Sequence, residues 1–177
     1  YHGDMMKILK TIFGCCLATF FLYGCATTRT WISSPEYQSA DNAVFSTRLT
    51  PIKGGGQFID AFRLEVKNKT QRPLEIDWDA TRYLYDQMAS GRFAFQGITA
   101  KNINDPPPDT VLPGATLEKV IFPVSLIATR RGPGYIGQAA FSAGPVPEGR
   151  NGILLVVRQN GKVLREELTV TIKVKPE

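Results

Sequence analysis

Ile153-Leu154-Leu155-Val156-Val157-Arg158-Gln159-Asn160-Gly161-Lys162 is followed, four residues on, by Glu167-Leu168-Thr169-Val170-Thr171-Ile172-Lys173-Val174. The first five residues are aliphatic without a break, as in a strand covered on both faces. Asn160-Gly161 is the preferred pair for a two-residue hairpin turn, because both central positions of that turn need positive φ. In the second arm Leu168, Val170, Ile172 and Val174 alternate with Glu167, Thr169, Thr171 and Lys173. Alternation of period two puts the apolar set on one face of a strand. The stretch reads as a long antiparallel hairpin.

The same period runs upstream. Val44 to Leu49 reads as a first strand, closed by Pro51 and the flexible run Gly54-Gly55-Gly56. Phe62, Leu64 and Val66 alternate with Arg63, Glu65 and Lys67; Leu74, Ile76 and Trp78 alternate with Glu75, Asp77 and Asp79. Between them Asn68-Lys69-Thr70-Gln71-Arg72-Pro73 is a turn cluster, so the two runs are expected to form a hairpin. Arg92 to Phe95 and Thr116 to Phe122 add strands. Residues 101–110 read as loop, and the Gly- and Pro-rich stretch 129–152 reads as a long loop with a short strand at Ala139-Ala140-Phe141. Ala80 to Met88 has room for one helical turn at most, and no window carries a helical apolar pattern.

The chain has 177 residues, 43% hydrophobic and 21% charged. This is a single-domain size with enough apolar residues for one core. About six to eight strands and no helices predict an all-β, antiparallel, immunoglobulin-like β-sandwich over residues 43–177.

The beginning of the sequence has another character. Tyr1-His2-Gly3-Asp4 precede Met5 and Met6, one of which reads as the start. Lys7 and Lys10 are followed by an apolar run from Ile12 to Tyr23. Twelve residues are too few to span a bilayer, which takes about 20, and suit the apolar region of a signal peptide. The run ends Leu22-Tyr23-Gly24-Cys25. This resembles the lipobox of bacterial lipoproteins, which implies a covalent lipid on the Cys25 thiol and cleavage after Gly24. Two or three acyl chains hold a protein on a bilayer where one does so only marginally. Ala26 after the cysteine resembles the pattern of outer-membrane lipoproteins in Gram-negative cells. Residues 1–24 are thus expected to be a leader and 25–42 a lipidated, polar tether. Trp31 and Ile32 are its apolar exceptions, read as docking on the domain in preference to sitting at the membrane interface.

Removing residues 1–24 takes away His2, Cys15, Cys16, Lys7, Lys10 and Asp4, and leaves 153 residues with 19 basic and 15 acidic side chains. A chain starting at Cys25 has no histidine and no second cysteine. It cannot build a Ser-His-Asp or Cys-His nucleophile, a His/Cys zinc site or an internal disulfide. No cofactor beyond the lipid on Cys25 is expected, and no metal. Asp77 and Asp79, two apart on one strand, suit a glycosidase-like carboxylate pair or a hard-cation site, against the simpler reading of two solvated aspartates with Trp78 inward. Trp78 is expected in the core. Trp78, Tyr83, Tyr85, Arg131 and Tyr135 are the candidates for an aromatic and basic binding surface.

Phe62 to Leu74 and the later Leu112-Pro113-Gly114-Ala115-Thr116-Leu117-Glu118-Lys119 resemble, in layout, small bacterial lipoproteins with an immunoglobulin-like β-domain. They are also similar to water-stress (LEA-type) domains and BsuPI-type proteinase-inhibitor domains. The resemblance covers residues 58–123 and implies no catalytic residue. The expected function is therefore a non-catalytic envelope interaction or assembly module, held to the membrane by its lipid and binding an envelope protein rather than nucleic acid. A proteinase-inhibitor-like binder using residues 124–152 is the second reading. A hydrolase built on Asp77 and Asp79 is the third.

Overall fold

The computed structural model describes residues 29–53, 56–95, 106–130 and 140–176. Its longest element is the C-terminal hairpin, β13 (Gly149–Gln159) and β14 (Lys162–Pro176). Gln159 faces Lys162 across the turn, and the pairing runs without slip to Gly149 opposite Ile172. Asn160 and Gly161 take φ of 52° and 74°, both in the left-handed region that the two-residue turn demands. Ile153, Leu155, Val157, Leu168, Val170 and Ile172 point into the core. On the other face Val156 is buried as well and Leu154 half-buried, so this strand is covered on both sides.

The other strands are β1 (Arg29–Ser34), β2 (Gln38–Asp41), β3 (Phe45–Ile52), β4 (Ala61–Asn68), β5 (Leu74–Ile76), β6 (Arg82–Tyr85), β7 (Met88–Ala89), β8 (Phe93–Phe95), β9 (Asp109–Val111), β10 (Thr116–Pro123), β11 (Ile127–Arg130) and β12 (Ala140–Ala143). One sheet has seven strands in the order β1-β14-β13-β5-β9, with β6 also on β13 and β7 on β6. The other has five, in the order β2-β3-β4-β10-β8. β11 and β12 pair only with each other. Phe45, Leu49, Phe62, Leu64, Val66 and Ile121 of the five-stranded sheet meet the inward residues of the seven-stranded sheet in a single apolar cluster. The fold is an all-β antiparallel sandwich. No side-chain nitrogen or oxygen buried among the described residues lacks a partner.

Three expectations are corrected. The runs 62–67 and 74–78 do not form a hairpin: β4 lies in the five-stranded sheet between β3 and β10, and β5 in the other sheet between β13 and β9. The turn cluster between them is a corner from one sheet to the other. Asn68, fully buried, drives it. Its amide donates to Arg72 O at 2.7 Å and Val111 O at 3.0 Å, and its carbonyl accepts from Thr70 N at 2.9 Å. A side chain that answers backbone groups of the following residues closes a turn without ladder bonds.

The supposed tether is partly structural. The compact unit runs from Arg29 to Lys175 rather than from residue 43, because β1 extends the seven-stranded sheet and β2 the five-stranded one. Trp31 docks: its Nε1 donates to Val146 O at 3.2 Å, and its ring lies edge-on to Phe58 at 6.0 Å.

Residues 80–88 form no helical turn. Instead β6 and β7 make a tight hairpin over Asp86 and Gln87, with φ of 46° and 68°. Aspartate tolerates the left-handed region, and the apolar Tyr83 and Leu84 on β6 pin the strand to β13.

Candidate functional site

At one edge of the sandwich four side chains tie the two sheets together. Asp109 opens β9 on the seven-stranded sheet. Lys119 lies in β10, at the same inward parity as Leu117 and Ile121. Its ammonium donates to Asp109 Oδ2, and the same oxygen accepts from Trp78 Nε1 at 2.7 Å. The ammonium also sits 3.9 Å from the Phe95 ring centre and 5.5 Å from that of Trp78. The two rings pack at 4.9 Å. The lysine and aspartate side chains are 20% and 27% exposed, so the pair is neither fully dry nor freely solvated. A cation on an aromatic face contributes about 0.5–2 kcal/mol, more as water is excluded. Each polar group in the cluster is answered by another member.

Asp77 and Asp79 do not share a face. β5 ends at Ile76, and the chain turns at residues 78–80. Asp77 is buried, 8% exposed; its Oδ1 accepts from Ala80 N at 2.9 Å and its Oδ2 from Arg158 Nε at 2.8 Å. Its backbone and that of Val156 are stitched together through Thr81: Asp77 N donates to Val156 O, Thr81 Oγ1 to Asp77 O, and Val156 N to Thr81 Oγ1. Burial pushes the Asp77 carboxyl up, but the Ala80 amide, Arg158 and the Asp79 amide outweigh it and hold the group below the ordinary value of 3.8. Asp79 is exposed and pairs with Arg92 at 2.8 Å. Two carboxylates in such different surroundings, each held by its own arginine, are not arranged to share a proton or a cation. Among the described residues no group of three or more His, Cys, Asp or Glu side chains could hold a metal ion.

The proposed aromatic surface is also rearranged. Trp78 and Tyr83 are buried, 1% and 2% exposed, which removes them from any contact patch. Tyr83 OH donates to Asn151 Oδ1, while Asn151 Nδ2 donates to Pro147 O at 2.8 Å and Gly149 O at 3.0 Å. Burial, with lesser contributions from Tyr85 and Asp86, pushes the Tyr83 phenol well above its ordinary range. Tyr85 is half-buried and donates to Glu148 O at 3.1 Å. Arg131 and Tyr135, together with Leu22, Tyr23, Gly24 and Cys25, lie outside the described residues.

Sequence reasoning passed over Asp109, Lys119, Phe95 and Asn151. One signal was legible. Lys119 sits between Leu117 and Ile121 at an apolar parity, and a charge in that register must find a partner or break the pattern. That the partner is Asp109, ten residues earlier and on the other sheet, is a tertiary fact.

The open surface is polar. A concavity of about 430 Å³ lies beside the edge strand β2, lined by Ser39, Asp41, Ser46, Arg48, Glu65 and Lys67 among others. Tyr37, 46% exposed, lies under the Arg48 guanidinium at 4.6 Å. Met88 and Leu112 are further large apolar side chains left in solvent. No protein-family model, no curated protein and no solved structure matches the chain.

Proposed function

We infer that the chain is a membrane-anchored envelope lipoprotein whose β-sandwich is a non-catalytic interaction module. One observation carries this reading. The polar and charged groups with chemical potential, Asp77, Tyr83, Asp109, Lys119, Asn151 and Arg158, have their hydrogen bonds taken up by one another and by the backbone. Groups held this way stiffen a scaffold and present nothing to a substrate. Recognition then falls to the surface and to strand edges. β2 closes one side of the five-stranded sheet as a short edge, beside the polar concavity. The anchor rests on the order basic residues, apolar run, Leu22-Tyr23-Gly24-Cys25.

Two measurements test it. The intact mass of the membrane-extracted protein should carry acyl chains, and Cys25→Ala should lose them. A soluble, unacylated native protein overturns the anchor. Mild crosslinking in cells, followed by purification, should return an envelope protein joined to the wild-type chain. Recovery of the chain alone at every crosslinker length overturns the interaction module.

The inhibitor-like reading keeps one observation in its favour. β11 and β12 form a ribbon of their own, outside both sheets, and such a ribbon is a natural carrier for an exposed binding loop. Protease assays with the purified chain test it directly.

A further inference from the structure

The two outer faces of the sandwich differ in charge. Strand alternation and the inward set of the core assign Arg82, Arg150, Arg158, Arg165, Lys173 and Lys175 to the outer face of the seven-stranded sheet. Arg82 is half-buried and the other five are exposed. The carboxylates on the strands of that face are Glu75 and Glu167. Asp77 neutralises Arg158, and at the rim Asp86 accepts from Arg150 N and Glu148 from Val174 N, between Lys173 and Lys175. A positive excess remains, densest along β14. On the outer face of the five-stranded sheet the strand residues are balanced: Arg48, Arg63 and Lys67 stand against Asp41, Glu65 and Glu118, with Arg63 and Glu118 paired at 3.0 Å and Lys69 at the rim paired with Asp41 at 2.7 Å.

The covalent geometry of the chain adds a second constraint. β1 is the edge strand next to β14, and its first residue, Arg29, follows Cys25 by four positions. A segment of that length reaches at most about 14 Å. A lipid on Cys25 would thus hold the seven-stranded sheet by its edge, within reach of the headgroups, beside its most basic strand. The apolar part of this face suits such a surface too. Leu154 lies opposite Arg82, and Val156 opposite Arg165, so aliphatic stems can cover apolar residues while the cations stay outward.

We propose that the outer face of the seven-stranded sheet, through Arg150, Arg165, Lys173 and Lys175, docks on anionic lipid headgroups and lays the sandwich down on the bilayer, leaving the five-stranded sheet and its polar concavity facing away. The proposal rests on the lipid anchor at Cys25. Basic side chains near an anionic membrane gain from its surface potential, and that gain falls off within a Debye length.

Thr171→Cys and Thr50→Cys place one reporter on the outer face of each sheet. Processing at Cys25 leaves no other free thiol, so each reporter takes a single fluorophore. The full, acylated chain is purified from membranes and its intact mass recorded. It is then reconstituted in vesicles that contain phosphatidylglycerol and a headgroup quencher. The Thr171 probe should be quenched several-fold more than the Thr50 probe. The difference should collapse in phosphatidylcholine vesicles, at about 1 M salt where the Debye length is ~3 Å, and in the triple variant R165E/K173E/K175E. Equal quenching of the two probes overturns the proposal, as does a difference that survives salt and charge reversal. An unquenched Thr171 probe, at a site that crosslinks to an acidic envelope protein in cells, assigns the face to that protein and overturns it as well. An unmodified Cys25 in the mass spectrum overturns the anchor itself, whereas acylated protein with equal quenching overturns only the orientation.

Discussion

Lys119 and Asp109 stand ten residues apart in sequence and on different sheets, and they bond across the open edge of the sandwich, with Trp78 donating to the same carboxylate oxygen. The contact acts as a clasp. It adds a charged link to the apolar packing between the two layers and to the Asn68–Val111 bond farther along the same sheets, and it satisfies the indole N–H of a Trp that is 1% exposed.

Removing one half of the clasp should cost more than removing both. Lys119→Met leaves a carboxylate in a half-closed site with only the indole as partner. A loss of about 1–3 kcal/mol is expected, below the value for a fully buried pair because the site retains some water. Lys119→Met with Asp109→Asn should recover part of that loss. Urea unfolding of the single and double variants measures the coupling; strictly additive losses would show that the two residues act separately.

Gly152 lies opposite Thr169 in the β13–β14 ladder. A Cβ there would lie 2.2 Å from Leu168 O and 2.7 Å from Thr169 Cγ2. Backbone cannot step aside cheaply, so Gly152→Ala should destabilise by about 2–3 kcal/mol or more. Gly161→Ala has open space around the new methyl but a φ of +74°, and should cost only about 1–2 kcal/mol. Thermal unfolding of the two variants should rank them in that order.

Asp77 gives the fold a pH dependence of known sign. Its folded pKa lies below the ordinary value of 3.8, so the native state binds fewer protons than the unfolded chain near that pH. The stability it contributes is present above about pH 4 and is lost as pH falls through the lowered folded value. Asp77→Asn should therefore be less stable than wild type at neutral pH, with the gap narrowing in acid. A gap constant from neutral pH to pH 2 would refute the assignment.

Tyr83 works in the opposite range. Its phenol is neutral in the fold and resists ionisation, so the stability it adds is complete below the ordinary value of 10.0 and is lost as pH rises beyond it. Ultraviolet titration should show one tyrosine ionising only as the protein unfolds, and Tyr83→Phe should abolish that step. The same variant strips the buried Asn151 of its donor and should cost about 1–2 kcal/mol.

Strand parity and turn chemistry were legible from residues alone. The alternation at Leu168, Val170 and Ile172 and the Asn160-Gly161 pair led to the right hairpin, because both signals are local: one comes from the pleat, the other from the φ values of two residues. The all-β class follows from the same period repeated along the chain. Which sheet each strand joins was not legible. Asn68 to Pro73 has the composition of a hairpin turn and acts as a corner, since the partners that decide it, Val111 O for Asn68 and β13 for β5, come from distant residues. The polar character of residues 29–41 hid two edge strands, because an edge needs no apolar run, only a neighbour with free backbone groups. Asp77 and Asp79 differ in fate because Arg158 arrives from β13 to claim one of them. Residue type and spacing determined the strands and their faces; the pairing of charges across sheets, and with it the character of both outer faces, was decided only when the tertiary fold brought those strands together.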